Sequence, residues 1–117
     1  MRIIIRGKEY ERVGIDSCAP LHMIELQQQS KRLIEDGGLS TSRLRRIDRE
    51  GRDYARARKR WADAVDEWRA AGADPALEPE APDEPDSLFV SIAMLVFLSI
   101  RGAGEPITFE AAASIPL

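Results

Sequence analysis

A run of thirteen residues at positions 88–100, Leu-Phe-Val-Ser-Ile-Ala-Met-Leu-Val-Phe-Leu-Ser-Ile, contains no charged side chain, no glycine and no proline. As a helix it spans about 20 Å, well short of the ~20 residues that a membrane crossing needs. A surface helix carries one apolar stripe, whereas this one is apolar on every side and must be surrounded. In a chain of 117 residues it is either wholly central or central with one side reserved for a partner.

The rest of the chain must supply its cover. Residues 2–6 and 9–13 are two short β-prone runs around Gly7-Lys8, and glycine at the first central position suits a two-residue type II′ hairpin. In that register Ile5 faces Tyr10 and Arg6 faces Glu9, which puts Ile3, Ile5 and Tyr10 on one apolar face. Pro20 fits the first turn of a helix over 20–36, closed by Gly37-Gly38. Ser40, Thr41 or Ser42 caps a long basic helix over 41–71. Its apolar residues Leu44, Ile47, Tyr54, Trp61, Val65 and Trp68 recur every three or four positions. Gly51 and Arg58 stand where a coiled coil would place Ile, Val or Leu, so the seam is poor for a self-sufficient dimer and is expected to pack partly on its own domain.

Residues 72–87 carry four prolines, six acids and no base. That composition predicts an extended, self-repelling linker and the first site of proteolysis. Asp86 or Ser87 is the expected cap of the apolar helix, which runs over 88–101 and ends at Arg101-Gly-Ala-Gly104. Thr108 caps a short helix over 108–115. The expected architecture is therefore mainly α with a small N-terminal β-hairpin, an α+β arrangement within one domain over 1–117.

Chemistry-bearing residues are scarce. The chain has one cysteine and one histidine, Cys18 and His22, four apart at the start of the first helix. A thiolate–imidazole pair is conceivable, but nothing supports it, and a metal site wants three or four such ligands. A packed thiol beside a solvent-facing imidazole is the plain reading. Gly102-Ala-Gly-Glu105 lacks the strand, lysine and hydroxyl of a phosphate loop. No enzyme activity, cofactor or metal is expected. The single cysteine and the short apolar run after Met1 point away from export and toward a reducing cytoplasm.

Residues 43–60 hold nine Lys/Arg against three acids, in a chain of formal net charge −3. A cationic helix is one way to hold a phosphate backbone. Here the arginines run round the helix and Asp48, Glu50 and Asp53 interrupt them, so a solvated, charge-balanced helix is the stronger reading, with linker and helix partly neutralising each other. A small nucleic-acid-associated or regulatory protein remains the alternative. Trp61 and Trp68 share a face, and both core packing and a binding hot spot favour tryptophan there.

Three segments in order resemble the tail assembly chaperones of long-tailed phages, particularly those of actinobacteriophages. They are the hairpin Ile3-Ile-Ile-Arg-Gly-Lys-Glu-Tyr10 followed by an Asp and a helix, the apolar helix with its exit from Ala93 to Glu105, and Ile107-Thr-Phe-Glu-Ala-Ala112 leading to an apolar end. Together they cover about half the chain, and the most specific part is the ending Arg-x-x-Gly-Glu-Pro-x-Thr-Phe-Glu. The resemblance implies a non-enzymatic protein that binds the tape measure protein during tail assembly in the cytoplasm of the infected host and is absent from the mature virion. It also implies a longer, frameshifted form that recruits tail tube protein. Neither a specific nucleic acid nor a membrane is an expected partner. Trp61, Val65, Trp68, Phe109 and Leu117 are the candidate partner-binding residues. A structural tail or head subunit is a further alternative, and the long Arg-rich helix and acidic linker depart from the family's commoner pattern.

Overall fold

The computed structural model describes residues 1–31 and 40–116. The chain is mainly helical with a two-stranded antiparallel hairpin at its N-terminus: β1 (Arg2–Ile5), β2 (Lys8–Glu11), α1 (Pro20–Ser30), α2 (Thr41–Ala70), α3 (Leu88–Gly102) and α4 (Phe109–Ala113). Among the described residues no helix is long and apolar enough to cross a membrane.

α3 is the central element. It touches β2, α1, α2 and α4, and Met94, Val96, Phe97 and Leu98 along it are almost completely enclosed. Ile5 and Tyr10 from the hairpin, Leu26 from α1, Leu44 and Ile47 from α2, and Phe109 and Ala112 from α4 complete one core. The all-round apolar sequence of 88–100 is thus explained by cover on several sides.

The hairpin keeps the expected apolar face but not the expected turn. Arg6 (φ 52°) and Gly7 (φ 77°) are its two central residues, as in a type I′ turn, whose twist matches that of the strands. The register is Ile3 opposite Tyr10 and Ile5 opposite Lys8. Ile3, Ile5 and Tyr10 still share a face, while Lys8 replaces the predicted Arg6–Glu9 pair and joins Tyr10 at the carboxylate of Glu105.

α1 opens with Pro20 in its first turn as expected. The predicted continuation to 36 and the Gly37-Gly38 stop fall on residues 32–39, outside the described residues. α2 is capped by Ser40, whose hydroxyl accepts from the Arg43 N–H at 3.2 Å. At its far end Gly72 (φ 106°) closes the helix, with the Ala73 N–H donating to the Trp68 carbonyl and the Gly72 N–H to that of Arg69. These are the two bonds of a Schellman stop. α3 ends the same way at Gly104 (φ 81°), where the Glu105 N–H reaches the Ile100 carbonyl.

Two expectations about the linker change. Ser87 does not cap α3 with its side chain; its hydroxyl donates instead to Glu50 of α2 at 2.7 Å. Nor is 72–87 a free-standing tether, because Pro75–Leu77 forms a 3-10 turn and the segment lies against α2 through the bonds described next.

Candidate partner-binding surface

α2 divides into two halves with different surroundings. Leu44 and Ile47 are buried in the core, whereas Trp61, Val65 and Trp68 are half-buried and stand apart from the core cluster. The Trp68 indole N–H donates to the Asp74 carbonyl at 2.7 Å, and the Trp61 indole N–H to the Pro79 carbonyl at 3.2 Å. The Arg58 guanidinium lies over the Trp61 ring, 5.3 Å from its centre. Core packing and a bare hot spot were the two readings of these tryptophans. The tryptophans are not part of the core cluster, and each indole meets a carbonyl of the returning chain.

Phe109 is not available to a partner. It is 2% exposed and meets Phe97 edge-on, with ring centres 6.2 Å apart. Its backbone N–H donates to the Gln29 side chain at 2.7 Å, and Thr108 accepts from the Ala111 N–H at 3.1 Å, so the start of α4 is tied to α1 and capped. Leu117 lies outside the described residues.

The exit of α3, from Arg101 to Glu105, is a structural latch. Arg101 makes a two-bond pair with Glu25 of α1 at 3.1 and 3.2 Å and donates to the Glu105 carbonyl at 3.3 Å. The Glu105 carboxylate accepts from Lys8 and, at 2.6 Å, from the Tyr10 hydroxyl. Arg101 and Glu105 thus join the hairpin, α1 and the end of α3 through five hydrogen bonds, a role that sequence order alone did not reveal.

An apolar groove that sequence reasoning missed runs between α2 and α3. Gly51, Tyr54, Ala55, Leu88, Ile92 and Leu95 line a cavity of about 260 Å³, with Arg12, Asp48 and Arg52 at its rim. Phe89, on the first turn of α3, is 86% exposed. The signal was present in the all-round apolarity of 88–100, where Leu88, Ile92 and Leu95 share the side that the body leaves open. Gly51 is where the two helices cross: a methyl group there would lie 1.8 Å from the Ser91 hydroxyl oxygen and 2.9 Å from its Cβ.

Four arginines of the basic stretch, Arg45, Arg46, Arg52 and Arg56, are ion-paired within the molecule. Arg45 and Arg52 meet Asp16, Arg52 also meets Asp48 at 3.2 Å, Arg46 meets Glu50 and Arg56 meets Asp53. These partners come from α2 itself and from the loop after the hairpin. Burial raises the Asp48 carboxyl above its usual range despite the Arg52 charge beside it. Cys18 donates its thiol to the Ile15 carbonyl at 3.4 Å, and burial pushes the thiol up, away from the thiolate that nucleophilic chemistry requires. Among the described residues no group of His, Cys, Asp and Glu is arranged to hold a metal ion.

Compared with family models, curated proteins and solved structures, the chain matches none of them.

Proposed function

We propose that this protein is a non-enzymatic assembly chaperone of a long-tailed phage. It binds the tape measure protein in the cytoplasm of the infected bacterial host, keeps it soluble until tube subunits surround it, and is absent from the finished virion. A longer, frameshifted form that recruits tail tube protein belongs to the same proposal.

The observation that carries the reading is the ordered set of three family-like segments, ending in Arg101-Gly-Ala-Gly-Glu-Pro-Ile-Thr-Phe-Glu110. Within that ending Glu105 meets the hairpin and Arg101 meets α1, which supports reading the segments together. The groove between α2 and α3 and, separately, the exposed Phe89 in the first turn of α3 supply apolar surface of the kind this function needs. A tape measure is a long, helix-rich chain with apolar stripes, and a groove of this kind takes such a stripe through its i, i+3, i+4 and i+7 side chains. Apolar burial is not screened by salt, unlike a complex held by surface charge.

Co-expression with a fragment of the same phage's tape measure protein tests the reading. The wild-type chain is expected to hold the fragment in the soluble fraction and to co-purify with it at moderate salt. Phe89→Ser and Leu95→Gln are expected to lose the fragment while keeping the wild-type circular dichroism spectrum. A folded wild-type protein that neither binds the fragment nor changes its solubility overturns the proposal.

A further inference from the structure

The chain reverses direction after α2 within two residues, Gly72 and Ala73, whose φ angles are 106° and 54°. Beyond the reversal, Asp74 (φ −62°, ψ 118°) and Glu78 (φ −61°, ψ 123°) flank the turn Pro75–Leu77 in backbone conformations near polyproline II. The two tryptophans of α2 are seven residues apart and therefore stand about 10 Å apart along the helix. Each gives its indole N–H to a carbonyl of this returning segment, Trp68 to Asp74 and Trp61 to Pro79. Aromatic side chains that donate to the carbonyls of an extended, proline-bearing chain are a recurring mode of peptide recognition.

The charges complement one another. The segment 72–87 has six acids and no base, and the Arg58 guanidinium stands over the ring of Trp61, whose indole N–H meets Pro79. Yet the segment is lightly held. Residues 71–78 are all exposed, including Leu77, its one large apolar side chain, at 71%. Its occupation of both indole donors therefore rests on two hydrogen bonds and long-range attraction, with little apolar surface buried in exchange.

We propose that Trp61, Val65 and Trp68 form a recognition face for an extended, acidic, proline-bearing peptide, that residues 74–79 fill it in cis, and that a partner segment of the same chemistry displaces them. The face is separate from the α2–α3 groove, and the proposal does not depend on the tape measure reading. An intramolecular segment competes at an effective concentration on the order of millimolar. A partner must therefore either bind well or be delivered locally, which makes the segment a gate on this face.

The test uses the full chain with residues 74–82 replaced by Gly/Ser of equal length, and as probe a synthetic peptide of residues 73–82. Tryptophan fluorescence and the indole N–H resonances report binding. Saturable binding is expected, at least about tenfold tighter to the replaced chain than to wild type, because the wild type's own segment competes. It is expected to weaken when the peptide's acids are made amides, and to weaken further with Trp61→Phe or Trp68→Phe, which keep a ring but lose the donor. In the unaltered chain, Trp68→Phe is expected to speed proteolysis within 73–80 several-fold, a readout that does not depend on the replaced chain folding. The proposal is overturned if the peptide does not bind the folded replaced chain, if binding ignores the indole donors, or if the face takes a second copy of this chain in place of the peptide.

Discussion

Glu105 holds the hairpin to the end of α3, and its titration should be visible in the stability of the whole protein. Its carboxyl is held below the usual range, first by the bond from Lys8 and next by that from Tyr10. A carboxyl lowered on folding contributes stability above its ordinary pKa of 4.5, and this contribution is lost as pH falls through the folded value. Lys8 is raised above 10.5, chiefly by the same bond. Its share is complete below that value and is lost as pH rises through the raised one. Glu105→Gln is expected to remove this contribution from the acid limb, flattening the fall of the urea midpoint between about pH 5 and pH 3, while the alkaline loss from Lys8 disappears with its partner. Chemical unfolding across that range checks it. At this scale the sequence was a poor guide to roles. Phe109 reads from the sequence as a partner-binding residue, yet its backbone bonds the Gln29 side chain and its ring packs against Phe97 inside the core.

Between elements, the crossing of α2 and α3 turns on one absent side chain. Gly51 appears in the sequence only as a gap in an apolar stripe, and in a helix interior it is worth about 1 kcal/mol less than alanine. Gly51→Ala should therefore stabilise an isolated α2. In the folded protein the new methyl meets both the hydroxyl and the Cβ of Ser91, and overpacking of this kind costs about 1–3 kcal/mol. A net loss of stability is expected for Gly51→Ala, with substantial recovery in the Gly51→Ala/Ser91→Gly double variant, where the small residue has moved to the other helix. A double-mutant cycle by urea unfolding measures the coupling; additive effects would mean that the helices do not cross here. The hairpin register belongs to the same scale. Gly7 suits either hairpin turn, and the observed one is supported by Lys8 and Tyr10 meeting Glu105, a contact nearly a hundred positions away in sequence.

Across the whole molecule, the extents of 52 × 32 × 23 Å reflect a body around α3 and the far half of α2 with its returning segment alongside. Phe97 is fully enclosed at the centre of that body, and Phe97→Ala is expected to cost about 3–5 kcal/mol, read as a fall in the unfolding midpoint. Hydrogen exchange should separate the two regions. Amides of α3 are expected to exchange only through global unfolding, whereas those of the far half of α2, held by few buried apolar contacts, are expected to exchange through local opening. Equal protection throughout would show that the returning segment stabilises that half as strongly as the core stabilises α3.

By itself the sequence determined what short-range physics determines. The run 88–100 had to be a surrounded helix, one of Ser40, Thr41 and Ser42 had to start α2 and Thr108 the last helix, glycines near 72 and within 102–104 had to end α2 and α3, and Ile3, Ile5 and Tyr10 had to share a face under either hairpin turn. These follow from local backbone preference and from apolar period, both legible within a few residues. Only the tertiary structure decided where the charges and tryptophans go. Arg52 pairs with Asp16, Glu105 gathers Lys8 and Tyr10, Gly51 makes room for Ser91, and the indoles of Trp61 and Trp68 find the carbonyls of Pro79 and Asp74. A hydrogen bond or an ion pair needs its partner within a few ångströms and at the right angle, and no spacing along the chain states which distant residue will be there.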